Sequence, residues 1–153
     1  MTLDYNGKVV IVTGAGGGLG RCHALEFARR GAKVVVNDLG GAVDGSGGSS
    51  EAADKVVEEI KAAGGEAMSN GSSVTDDTGV ANMVQQTMDA YGRIDVLVNN
   101  AGVLRDKSFA KMEIADFDFV VDVHLFGTMK PTKAVWPIMK EQGYGRIMVT
   151  SSS

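Results

Sequence analysis

The 153-residue chain has one cysteine, Cys22, which excludes an internal disulfide and fits a reducing compartment. No apolar run approaches the ~18 residues of a membrane span, and Met1-Thr2-Leu3-Asp4 has no apolar targeting core. Positive charge is not in excess: 15 Lys and Arg against 19 Asp and Glu leave a net −4, and no basic stripe suggests a nucleic-acid partner. There is no internal repeat. A P-loop is excluded too, because the one Gly-Lys, at Gly7-Lys8, is followed by Val9 rather than Ser or Thr. With 44% apolar residues the chain can fill one core, so a single soluble, cytoplasmic domain is expected, with neither membrane nor nucleic acid as partner.

What the chain has in quantity is glycine, 21 residues gathered in turns without a collagen-like period. Five of them stand in Gly14-Ala15-Gly16-Gly17-Gly18-Leu19-Gly20, directly behind the run Val9-Val10-Ile11-Val12-Thr13. A short β-branched run reads as a buried parallel strand. A glycine turn leading from it into a helix aims backbone N–H groups at whatever lies above, and missing Cβ atoms let a pyrophosphate approach. Counted from Gly14, the general G-x-G-x-x-G pattern fails at Leu19; T-G-x-x-x-G-x-G fits, as Thr13, Gly14, Gly18 and Gly20. Gly14, Gly18, Leu19 and Gly20 are therefore the candidate seat of a dinucleotide.

Strand and helix signals alternate from there on. Arg21 to Arg30 carries a helical face of Ala24, Leu25, Phe27 and Ala28, ended by Gly31, and Lys33 to Asn37 is a second strand. Gly40 to Ser50 reads as a loose glycine- and serine-rich stretch. Glu51 to Ala63 reads as a helix with Ala53, Val56, Val57 and Ile60 inward, and Glu66 to Ser69 as a short, polar third strand. Asp76 or Asp77 caps a helix reaching Tyr91, with Val80, Met83, Val84, Thr87 and Met88 inward. Ile94 to Val98 is a fourth strand. One long helix is expected from about Ala115 towards Met139, kinked or ended by Pro131 and Pro137, before a fifth strand at Arg146 to Thr150. This order implies an α/β, Rossmann-type, doubly wound parallel sheet in the order 3-2-1-4-5 with helices on both faces. Its ligand belongs beyond the carboxyl ends of the first and fourth strands, where strand order reverses.

Two features at that edge extend the glycine turn. Asp38 ends the second strand 18 residues after Gly20, where an acidic residue accepts the adenine-ribose hydroxyls. A carboxylate there repels a 2′-phosphate, so NAD is expected rather than NADP. Asn99-Asn100-Ala101-Gly102 leaves the fourth strand at the same edge; its amides can satisfy backbone groups between strands while Ala and Gly leave room for a ribose.

Together these residues resemble the classical short-chain dehydrogenase/reductase family, along nearly the whole chain. Thr13 to Gly20, Asp38, Asn99 to Gly102, and Gly145-Arg146-Ile147 leading to Ser151-Ser152 carry the likeness. A narrower resemblance, to the (3R)-hydroxyacyl-CoA dehydrogenase part of multifunctional enzyme type 2, lies in four segments. These are Asn37 to Gly41, Ala52 to Ile60, Leu104 to Ala110, and Val123-His124-Leu125. The family implies hydride transfer between nicotinamide and a secondary alcohol or ketone, and the narrower branch implies a 3-hydroxyacyl-CoA-like small-molecule substrate and, in eukaryotes, the peroxisome. By the same resemblance Ser73 and Val74 line the adenine, Asn99, Ala101 and Gly102 lie near the ribose, and Ser152 bonds the substrate oxygen. His124 stands where many members carry a catalytic asparagine, and a histidine there can relay protons near neutral pH. No metal site is expected, since Cys22 and His23 lack spaced partners.

The family's Tyr-x-x-x-Lys acid/base pair is not among these residues: four positions after Tyr5, Tyr91 and Tyr144 stand Val9, Asp95 and Met148. The fold is accordingly expected to be incomplete on its C-terminal side. The fifth strand then becomes an open sheet edge, and homo-oligomerisation through it is expected. The alternatives are an inactive nucleotide-binding or self-associating fragment, and a dehydrogenase of hydroxysteroids or other alcohols.

Overall fold

Val9–Thr13 (β1) is buried at all five positions, as a strand covered on both faces must be. The structure is a computed structural model that describes residues 3–40 and 51–152. In it β1 pairs in parallel with Lys33–Asn37 (β2) on one side and Val96–Asn99 (β4) on the other. Beyond them lie Glu66–Asn70 (β3) and Arg146–Val149 (β5), giving the expected order β3-β2-β1-β4-β5.

Alternate side chains of each strand serve different layers. Val10, Val12, Val34, Val36, Val96 and Val98 pack under Gly18–Arg29 (α1) and Glu51–Ala62 (α2), which contribute Ala24, Ala28, Val56 and Ile60. Ile11, Val35 and Leu97 face the opposite way. They meet Met83 of Asp77–Tyr91 (α3) and Val135 and Met139 of Gly127–Gln142 (α5). The expected inward faces of α1 and α2 are the observed ones. Asp76 rather than Asp77 is the cap of α3, accepting the Gly79 N–H at 2.6 Å. Of the loose stretch expected at Gly40 to Ser50, all but Gly40 lies outside the described residues.

The single long helix expected from Ala115 is corrected. Ile114–Val121 (α4) runs into a π-helical turn at Asp122–Phe126, and α5 comes next with both prolines inside it. The interruption therefore precedes Pro131, and both prolines sit within continuous helix. A π turn inserts a residue into the helix and rotates the turns beyond it, a feature that gathers at functional sites.

At the amino ends of the strands, Asp95 ties β1 to β4. Its buried carboxylate accepts the Val9 N–H at 2.9 Å and two bonds from Arg93 at 2.8 and 2.6 Å, with Lys8 Nζ 3.8 Å away. Burial opposes its ionisation, but the Arg93 and Val9 hydrogen bonds and the charges of Arg93 and Lys8 outweigh that, holding the carboxyl below its ordinary value. The opposite, carboxyl ends of the strands are left for a ligand. On the outer edge β5 is largely exposed, Met148 and Val149 included.

Candidate functional site

The glycine turn lies against the turn that leaves β4. Gly14 has φ +61°, and a Cβ there would stand 2.7 Å from the Ala101 Cα. A Cβ on Gly20 would overlap the Gly14 carbonyl oxygen and approach Asn100 Nδ2 to 2.5 Å. These two glycines answer to packing within the protein. Gly18, at φ +51°, and Gly17 have none of the described residues within 4 Å of such a Cβ, so this side of the turn is open among the described residues. Helix α1 starts there on Gly17 with no side-chain cap and no acidic residue in its first turn. Among the described residues the first-turn N–H groups, those of Gly18, Leu19 and Gly20, have no capping side chain, an arrangement that can receive an anion.

Thr13 and Asn100 clamp the two turns together. The buried Thr13 hydroxyl accepts the N–H groups of Asn100 and Ala101, each at 3.0 Å. In return Asn100 Nδ2 donates to the carbonyls of Thr13 at 3.2 Å and Gly14 at 3.1 Å, and Thr150 Oγ1 donates to Asn100 Oδ1 at 3.3 Å. Sequence reasoning expected an amide of this turn to satisfy backbone groups between strands, as Asn100 does, but did not foresee the part of the Thr13 hydroxyl. The available signal was a hydroxyl ending one strand beside a doubled amide ending another.

Asp38 closes the β2 side of the glycine turn. Its Oδ2 accepts the Gly16 N–H at 2.7 Å, its Oδ1 accepts the Gly40 N–H at 2.8 Å, and a Cβ on Gly16 would sit 2.8 Å from that Oδ2. Next to it, Asn37 Nδ2 donates to Asn70 Oδ1 at 2.8 Å and to the Ser72 carbonyl at 2.9 Å, carrying the segment after β3 to the same edge. Half-buried Ser73 shares a 2.9 Å hydroxyl contact with Thr75, while Val74 is buried against Gly127.

Around the β4 turn the expected residues separate. The Asn99 side chain is buried and turned to α5, where Nδ2 donates to Thr132 Oγ1 at 3.1 Å, while its backbone carbonyl accepts the Thr150 N–H at 3.0 Å. Gly102 lies under the His124 ring: a Cβ on it would come 2.8 Å from Cε1. The π-helical turn brings His124 Nε2 to 2.9 Å from the Val103 carbonyl oxygen and 3.1 Å from its N–H, its role there set by the tautomer. Ser152 is exposed just beyond Thr150, past the carboxyl end of β5.

A family model described as short chain dehydrogenase matches residues 8–153. The chain belongs to that family. Among curated relatives of this short-chain dehydrogenase, peroxisomal multifunctional enzyme A of Dictyostelium discoideum is 58% identical over 153 residues, all of this chain and 34% of that enzyme. Peroxisomal multifunctional enzyme type 2 of Drosophila melanogaster is 56% identical over 151 residues, 99% of this chain and 25% of that enzyme. The chain thus spans about a third or less of these relatives. A solved 7α-hydroxysteroid dehydrogenase, complexed with NADH and 7-oxo glycochenodeoxycholic acid, superimposes with a TM-score of 0.88 at 34% identity. The match covers 97% of this chain and 55% of that one. Short-chain dehydrogenase membership accounts for the sheet order and for the glycine turn beside β1.

Proposed function

We propose that these residues form the nucleotide-binding and substrate-facing part of an NAD-dependent oxidoreductase. It transfers hydride between the nicotinamide and a secondary alcohol or ketone of 3-hydroxyacyl-CoA type. The observation that carries this reading is the Asp38 carboxylate held 2.7 Å from the Gly16 N–H, at the lip of an uncapped helix N-terminus. A vicinal ribose diol can donate both hydroxyls to such a carboxylate, whereas a 2′-phosphate is repelled. The open side of Gly17 and Gly18 admits the pyrophosphate onto the first-turn N–H groups of α1.

In this reading Gly14, Gly18, Leu19 and Gly20 form the pyrophosphate seat, Ser73 and Val74 border the adenine, and Asn99, Ala101 and Gly102 border the nicotinamide-side ribose. Bound NAD supplies the hydride acceptor. His124, pinned to Val103 by the π turn, and Ser152, beyond β5, contact the substrate oxygen. Residues 1–153 act as one domain. The names of the relatives favour a peroxisomal over a cytoplasmic location, and the exposed β5 edge supports homo-oligomerisation.

Calorimetric titration with NAD⁺ and NADP⁺ tests the reading. NAD⁺ is expected to bind at least about tenfold tighter, ~1.4 kcal/mol. Equal or reversed affinities overturn the assignment of Asp38.

A further inference from the structure

We propose that Lys130 is a positioning residue for the adenosine end of the cofactor: from α5 it fixes the backbone of the segment that borders the adenine. The inference rests on the nucleotide reading above and adds to it a residue that acts through Ser73 and Val74.

Residues 71–76 join β3 to α3 without helix or strand, so their backbone groups need partners from elsewhere. Those partners come from two sides. From β2, Asn37 Nδ2 donates to the Ser72 carbonyl at 2.9 Å. From α5, Lys130 Nζ donates to the Thr75 carbonyl at 2.6 Å, across 55 residues of chain. Ser73 and Val74 lie between the two anchored carbonyls. Thr75 passes the restraint back to Ser73, whose Oγ accepts the Thr75 N–H at 3.3 Å and lies 2.9 Å from its hydroxyl. Helix α5 also braces Val74 directly, since a Cβ on Gly127 would stand 2.7 Å from Val74 Cγ2.

Core packing gives no reason for a lysine here. Gly127, Pro131, Val135 and Met139 form the buried stripe of α5, and half-buried Lys130 stands beside it. A long apolar stem with a three-donor head can reach a carbonyl on a neighbouring segment, which an apolar side chain cannot serve. The head also pairs with Asp77 Oδ1 at 3.0 Å, but that carboxylate is 85% exposed, and exposed pairs contribute little. The part-buried bond to Thr75 therefore carries the restraint. A segment already ordered need not be ordered when a ligand arrives, so the restraint appears as affinity.

Calorimetric titrations of the wild-type chain, Lys130→Met and Lys130→Arg with AMP, nicotinamide mononucleotide and NAD⁺ test this. Lys130→Met is expected to weaken AMP and NAD⁺ about tenfold and leave nicotinamide mononucleotide unchanged. Lys130→Arg keeps a charged donor and is expected to recover most of the loss. In the wild type the amide resonance of Asp76, which follows the Thr75 carbonyl, is expected to shift with AMP and not with nicotinamide mononucleotide. That measurement carries the test where Lys130→Met does not fold. Unchanged AMP binding by folded Lys130→Met, whatever its stability, makes Lys130 only a tie between α5 and α3 and overturns the proposal. An equal loss for nicotinamide mononucleotide, or an Asp76 resonance indifferent to AMP, overturns it too. A wild type that binds neither AMP nor NAD⁺ would instead overturn the nucleotide reading.

Discussion

Gly14 and Ala101 meet backbone to backbone, so closely that a Cβ on Gly14 would stand 2.7 Å from the Ala101 Cα. The glycine turn and the turn after β4 are thereby one body, stitched by Thr13 and Asn100. A glycine fingerprint is usually read as room for phosphate. Here the room faces outward at Gly17 and Gly18, while Gly14 and Gly20 serve the joint between strands.

The two kinds of glycine should separate in experiment. Gly14→Ala meets both a left-handed backbone, costing about 1–2 kcal/mol, and a backbone clash, costing about 1–3 kcal/mol more. Urea denaturation should show that loss. Gly17→Ala, in extended backbone with no described residue within 4 Å of the added methyl, should lose less than about 1 kcal/mol yet weaken NAD⁺ by placing that methyl group on the ligand side. If Gly17→Ala binds NAD⁺ as the wild type does, the pyrophosphate does not sit there.

Thr13→Val removes the acceptor of two backbone N–H groups and should destabilise the chain by about 1–3 kcal/mol. Thr13→Ser retains the hydroxyl and should recover most of it. Equal denaturation midpoints for Thr13→Val and the wild type would mean the clamp contributes nothing.

Asp95 sets an acid limit. Its folded carboxyl titrates below its ordinary value, so its stabilisation is fully present above the usual carboxylate range and is lost as pH falls through the lowered value. Asp95→Asn should cost about 1–3 kcal/mol at pH 7. Unfolding free energies measured from pH 7 downward should show the gap to wild type closing below about pH 4. A gap that stays constant with pH would remove the charge from the explanation.

The strand order, the inward faces of α1 and α2, the glycine turn and the position of Asp38 were legible in the chain because each depends on short-range periodicity or on a fixed spacing. The break at Asp122–Phe126 was not, and the prolines pointed to the wrong place for it. Gly-Thr-Met-Lys-Pro continues a helical pattern, and nothing local marks a π turn. That turn makes sense through the contact of His124 with Val103, 21 residues away in the chain.

Amino-acid order alone settles which elements form and how they stack, since β-branched runs, glycines at turns and helical apolar faces act within a few residues of one another. Tertiary packing settles which way the polar groups at the ligand edge point. Asn99 and Asn100 are adjacent and identical, yet one is buried against Thr132 and the other bonds back to Thr13 and Gly14. Arg105 looks like an ordinary surface charge until Phe119 stacks on it and its buried Nε is left without a hydrogen-bond partner among the described residues. Hydrogen bonds are directional and burial is collective, so such roles appear once distant segments have closed around each group.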